Sequence, residues 1–182
     1  MTIANQLTLA RLLVTPVIAA LAYWPSPACR AWALALFLLA MLTDVLDGII
    51  ARLPGQSSRL GLYLDPVADK VILVTLFIVL ADLGYLPMWI ALLMMAREML
   101  VEGLRSAAAT TGQVIGANWM GKTKAVVQTL CIAVALALMA WEAEEKLARQ
   151  FVTLLALATL VLAWAFAAMF LWWNRALLRQ AS

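Results

Sequence analysis

Apolar runs close to the length of a bilayer crossing follow one another along this chain, with only short polar breaks between them. A hydrocarbon core about 30 Å thick takes ~20 residues of helix. On that measure the sequence predicts six spans, at about Leu7–Trp24, Ala31–Leu53, Leu60–Leu83, Pro87–Thr111, Lys122–Trp141 and Phe151–Leu178. The breaks are rich in Pro, Gly or charge: "PSPACR", "PGQSS", Gly84 with Pro87, "TTGQVIGANWMGK", and "EAEEKLARQ", the last read as a polar turn. Composition agrees. Of 182 residues 66% are hydrophobic and 13% charged, against roughly half and about a quarter in a soluble domain. Mean hydropathy is +0.96. The expected fold is all-α and integral to a membrane, with six transmembrane helices in a single domain over residues 1–182. A short interfacial segment is expected to lead into the first span. The opening "MTIANQLTLARLLVTP" has neither the charged leader nor the small-residue cleavage site of a signal peptide, so that span should be retained.

Lys and Arg mark the sides of the membrane. With the N-terminus cytoplasmic, one side collects Arg11, Arg52, Arg59, Arg105, Lys122, Lys124, Arg175 and Arg179, and the other Arg30, Lys146 and Arg149. This asymmetry predicts cytoplasmic termini in a cell (inner) membrane. The net charge of +3 then belongs to loops facing anionic lipid or substrate, not to a nucleic-acid surface. Histidine is absent, which excludes a His base, a His nucleophile and His-ligated metals. Cys29 and Cys131 stand far apart and read as packing residues. Trp24, Trp32, Trp89, Trp141, Trp172 and Trp173 fall near span ends, as interfacial anchors do.

Against this background four aspartates are costly, and ionisable groups among membrane spans mark function by default. Asp44, Asp47, Gly48, Ala51 and Arg52 fall at helical offsets that share one face, and so do Gly61, Asp65 and Asp69 on the next span. A short break joins the two spans, so they are expected to be antiparallel neighbours whose polar faces meet. Converging carboxylates repel unless neutralised, and an oxygen-only ligand set suits Mg²⁺, Mn²⁺ or Ca²⁺. Gly48 and Ala51 leave room on that face for a ligand to approach the backbone. Helix capping, or pairing with Arg52, Arg59 and Lys70, is the purely structural alternative.

The pattern Asp44-x-x-Asp47-Gly48-x-x-Ala51-Arg52, then Gly61-x-x-x-Asp65-x-x-x-Asp69 after eight residues, resembles the signature of the CDP-alcohol phosphotransferase family at all eight positions. The six spans are similar to that family's fold. The resemblance implies a metal site of Asp44, Asp47, Asp65 and Asp69, holding two Mg²⁺ or Mn²⁺ ions. It also implies Asp69 as the general base, a CDP-binding part at Gly48, Ala51, Arg52 and Gly61, and a homodimer. "NQLTLARLLVTP", Arg97-Glu98, Leu104-Arg105 and Gly121-Lys122-x-Lys124-x-x-x-Gln128 resemble the branch that joins glycerol 3-phosphate to CDP-diacylglycerol and releases CMP; Ala125 departs from that branch's pattern. Arg97 and Arg105 share a helix face and Lys122 and Lys124 open the next span, a cation set suited to the acceptor's phosphate. Glu98 and Glu102 read as structural pairing partners. Arg11 could reach the nucleotide or a lipid phosphate, or could anchor its helix. The motif leaves open a cardiolipin synthase or a phosphatidylinositol-phosphate-type activity of the same fold. More distantly, the carboxylates could line a divalent-cation transport path.

Overall fold

A computed structural model of the chain describes residues 3–50, 59–110 and 119–173. Six helices account for nearly all of them: α1 (Ile3–Tyr23), α2 (Pro27–Ile50), α3 (Arg59–Asp82), α4 (Met88–Thr110), α5 (Trp119–Ala140) and α6 (Glu145–Trp173). Short turns after α1, α3 and α5 gather at one end of the bundle, here called the turn end. The ends of α2 and α4 and the starts of α3 and α5 lie at the other. Four of the helices, α1, α2, α5 and α6, are long and apolar enough to cross a membrane; α3 and α4 do not reach that mark over the described residues.

Local chemistry accounts for the breaks. Ser26 and Pro27 open α2: Ser26 accepts the first helical bond from Arg30 N–H at 3.1 Å, and Pro27 stands where its missing N–H costs nothing. At the end of α3, Gly84 adopts φ +77° while Tyr85 N–H reaches back to Leu80 O and Gly84 N–H to Ala81 O, closing a Schellman cap. The stretch expected to be a polar turn before the sixth span is shorter than expected. Glu145 sits in the first turn of α6, where a carboxylate favours the helix dipole, and Arg149 returns to it at 2.5 Å one turn on. The expected interfacial lead-in is likewise not a separate element among the described residues. It forms the first turns of α1, which continues through Pro16, and the Thr15 hydroxyl donates to Arg11 O at 2.8 Å beside that proline.

Buried side chains form one main core made from all six helices, with Phe37, Ile72, Leu76, Leu80, Ile90, Ile132, Leu136 and Val152 at its centre. Small residues on α6 (Ala148, Ala156, Ala163 and Ala167) are buried and allow close helix approach. The facing ends of the second and third spans, where their polar faces were expected to meet, lie largely outside the described side chains. Among the described residues α1 packs extensively against both α2 and α3, whereas α2 and α3 scarcely touch. A stripe of modest side chains on α1, with Thr8, Thr15, Ile18 and Ala22 buried around Arg11, lets it enter between them. Tyr23 fastens it to α3 by donating to Asp82 at 2.9 Å. Exposed Trp24, Trp32, Trp89 and Trp141 ring the turn end, and Trp172 and Trp173 stand exposed at the end of α6.

A Cβ on Gly84 would sit 3.1 Å from Arg149 Nη1 and would have to tolerate the left-handed φ. Gly84→Ala should therefore lower stability by about 1–2 kcal/mol, read as a lower melting temperature in detergent. An unchanged melting temperature would show that this cap does not limit stability.

Candidate active site

Three inward-facing stripes change character at the end opposite the turns. On α1, Ala22 and Ile18 give way to Thr15, Arg11 and Thr8, all buried. On α2, buried Ala33, Phe37 and Ala40 lead at the next repeat to Asp44. On α3, buried Leu80, Leu76 and Ile72 are succeeded by sequence positions 69 and 65 in the same register. The helical backbone of α2 continues to Ile50 and that of α3 begins at Arg59, so Asp44, Asp47 and Gly48 lie on one helix and Gly61, Asp65 and Asp69 on another. The side chains of Asp47, Asp65 and Asp69 lie outside the described set, as does the surrounding of Gly48 and Gly61. Ala51 and Arg52 lie outside the described residues altogether.

Asp44 shows how the acidic end is built. Arg11 Nη1 donates to Asp44 Oδ1 at 2.5 Å, with the arginine side chain 1% exposed and the aspartate 35%. The cation is sealed inside the bundle while the carboxylate opens outward. A charge-assisted bond of this kind fixes the carboxylate's orientation. Among the described residues the second oxygen has no hydrogen-bond partner and is available to a cation. Sequence reasoning left Arg11 at the membrane surface or at a ligand; the structure places it in the interior, bridging α1 and α2. Its spacing with the buried Thr8, Thr15 and Ile18 was the signal for that.

A second polar cluster lies on the same half of the bundle. Glu98 accepts from Lys124 Nζ at 2.7 Å, from Arg97 Nη1 at 3.1 Å and from Gln128 Nε2 at 3.4 Å, all four residues being buried. Arg97 Nε also donates to Ala163 O on α6 at 3.2 Å. One carboxylate thus joins α4 to α5, and an arginine beside it joins α4 to α6. One turn along α4, Glu102 accepts from Lys70 Nζ at 2.6 Å, in a more exposed pair. Glu98 and Glu102 both have ion-pair partners, with the cations coming mostly from other helices. The four cations assigned to the acceptor do not form one cluster. Arg97 and Lys124 meet at Glu98, Lys122 is exposed, and Arg105 lies over the Phe170 ring at 5.6 Å. Among the described residues Arg105 has no carboxylate partner, and its Nε is buried without an acceptor. Gly121 stands close by, where a Cβ would lie 3.8 Å from Arg105 Nη2.

Comparison with known proteins meets this geometry at the family level. The family model for CDP-alcohol phosphatidyltransferase matches residues 1–178. The chain belongs to that family. It is 42% identical over 133 residues to a Mycobacterium tuberculosis protein named "Probable phosphatidylglycerophosphate synthase", covering 71% of this chain and 63% of that one. It therefore spans a little less than two thirds of that relative's length. Proteins named CDP-diacylglycerol–glycerol-3-phosphate 3-phosphatidyltransferase are also similar. The one from Cereibacter sphaeroides is 35% identical over 155 residues, 83% of this chain and 70% of its own length. The one from Bacillus subtilis is 31% identical over 144 residues, 72% and 75% respectively.

Within this CDP-alcohol phosphatidyltransferase fold the buried pairs make unequal demands. Glu98→Gln would leave two buried cations without their shared carboxylate and should cost about 3–5 kcal/mol. Glu102→Gln, in the more exposed pair, should cost at most ~1 kcal/mol. Unfolding of both variants in detergent measures the contrast, and equal losses would refute the assigned difference in burial.

Proposed function

We propose that the chain is an integral-membrane transferase that moves the phosphatidyl group of CDP-diacylglycerol to glycerol 3-phosphate, yielding phosphatidylglycerophosphate and CMP. Family membership and the names of the relatives support the reaction class. The observation that carries the reading is Asp44, whose carboxylate is aimed outward by buried Arg11 at the end of the bundle where the family motif's other acidic positions fall in register.

An oxygen-only donor set and the available second oxygen of Asp44 fit a hard divalent cation. Asp44, Asp47, Asp65 and Asp69 would hold Mg²⁺ or Mn²⁺, two ions by the family pattern. Bound there, such ions would neutralise charge developing on the transferred phosphoryl group and acidify the acceptor hydroxyl. Asp69 takes the hydroxyl proton as the new oxygen–phosphorus bond forms and the bond to CMP breaks. Gly48, Ala51 and Gly61 leave space for the nucleotide, and Arg52 faces its pyrophosphate. Arg105, a cation without a carboxylate partner among the described residues, receives the acceptor's phosphate, with Lys122 at the approach. Arg97 and Lys124, part-neutralised by Glu98, give the pocket its shape and residual positive charge. A single surface then suits both substrates: acyl tails remain in the bilayer while phosphates react at its cytoplasmic face. A homodimer is the assembly the family pattern suggests.

Radiolabelled CDP-diacylglycerol offered with glycerol 3-phosphate, phosphatidylglycerol or inositol phosphate tests the acceptor. Label should pass to glycerol 3-phosphate, and transfer only to phosphatidylglycerol would replace this reading with a cardiolipin synthase. Asp69→Asn should cut turnover by at least ~10²-fold while nucleotide binding survives; near-normal turnover would remove Asp69 as base. Arg105→Ala should raise KM for glycerol 3-phosphate by about tenfold or more, with little change in KM for the lipid. Equal changes in both would make Arg105 structural.

A further inference from the structure

At the turn end, remote from the acidic motif, the bundle forms an open cavity of about 430 Å³ lined by Arg30, Tyr85, Met139, Glu142, Glu145 and Arg149. Two of its charges satisfy each other: Arg149 Nη2 donates to Glu145 Oε1 at 2.5 Å, and the guanidinium lies over the Tyr85 ring at 5.8 Å. Arg30 and Glu142 are left. Among the described residues the Arg30 guanidinium has one long hydrogen bond, from Nη1 to Met139 O at 3.5 Å, while its Nε is buried without an acceptor. Glu142 has no ion pair among the described residues, and it does not pair with Arg30 although both line the same cavity. Glu142 also holds φ 49°. Ala143 N–H returns to Leu138 O at 3.1 Å, so Glu142 occupies the left-handed position of a Schellman cap, the place Gly84 takes at the end of α3. Glu142 thus holds a strained backbone conformation while lining the cavity.

We infer that this cavity binds the headgroup of a zwitterionic phospholipid of the leaflet at the turn end, Arg30 taking the phosphate and Glu142 the ammonium group. A half-buried guanidinium short of acceptors and an exposed carboxylate without an ion pair among the described residues, both lining one cavity, match a ligand carrying both charges. A purely anionic ligand would face Glu142 and Glu145, and a purely cationic one Arg30 and Arg149. The level is right for a headgroup: exposed Trp24, Trp32, Trp89 and Trp141 surround the same end, as aromatic side chains do at the bilayer interface. The volume lies within the range of small-molecule sites. The inference is independent of the proposed reaction, since none of these residues belongs to its machinery.

Native mass spectrometry of the purified full chain, titrated with phosphatidylethanolamine or phosphatidylglycerol of the same acyl chains, tests the site. Wild type should bind phosphatidylethanolamine about tenfold more tightly than phosphatidylglycerol. Glu142→Gln should remove that preference by weakening phosphatidylethanolamine alone, and Arg30→Gln should weaken both lipids. Glu142→Gly should match Glu142→Gln while relieving the left-handed backbone, which separates loss of the carboxylate from damage to the fold. Equal affinity of wild type for the two lipids, or unchanged phosphatidylethanolamine binding in the Glu142 variants, overturns the proposal. Displacement of the lipid by soluble glycerophosphoethanolamine at equal concentration would overturn its assignment to a bilayer lipid.

Discussion

A guanidinium sealed among apolar helices must be answered by a carboxylate, and Arg11 is answered by Asp44. This one pair governs much of the architecture. It draws α1 against α2 at the acidic end, while the Tyr23–Asp82 hydrogen bond draws α1 against α3 at the other. The first helix is thereby wedged between the two that carry the motif, and the acidic end becomes a three-helix construction. Removing the arginine would leave Asp44 without its ion-pair partner among the described residues, so the orientation of the carboxylate depends on a residue that belongs to no part of the acidic signature.

The bundle is divided along its length. Toward the turns the interior is hydrocarbon, with Phe37, Leu76, Leu80, Ile90, Leu136 and Met139 filling it. Away from them it becomes polar: Thr8, Arg11 and Thr15 on α1, Arg97 and Glu98 on α4, and Lys124 and Gln128 on α5 are all buried. Buried charges of this kind cost more than they return in stability unless each is met. Glu98 meets two cations at once, and Arg97 spends a further donor on a backbone carbonyl of α6. The result is a polar half whose buried charges are met within the bundle, supported by an apolar half that holds the helices in place. That division suits chemistry at one membrane surface better than a path through the midplane, where a transporter gathers its polar groups.

The helices were legible because their chemistry is local. Hydrocarbon-length runs set α1 to α5 within a few residues of their observed ends, and the helical offsets of Asp44, Asp47 and Gly48 needed only a continuous α2 to hold. Partnerships across helices were not legible. No spacing within one segment shows that Lys70 reaches Glu102, that Lys124 and Arg97 share Glu98, or that α1 enters between α2 and α3. Two boundaries were misjudged for a simpler reason. "EAEEKLARQ" is polar, and its acidic start and Glu145–Arg149 spacing are signs of a helix opening more than of a loop. The first residues are more polar than a span, yet they prolong α1 because nothing there stops a helix. Arg11 was the costliest misreading: among apolar residues its charge suggested a surface, whereas the stripe it shares with Thr8 and Thr15 pointed inward.

The proposed reaction requires acidic side chains from α2 and α3 to share a divalent ion at the end of the bundle where Arg11 meets Asp44. Anomalous diffraction from crystals grown with Mn²⁺ measures this directly. Manganese peaks are expected between the C-terminal end of α2 and the N-terminal end of α3, with Asp44 within coordination distance. Ordered crystals with manganese bound elsewhere and Asp44 turned away from it would rule out an ion shared by α2 and α3.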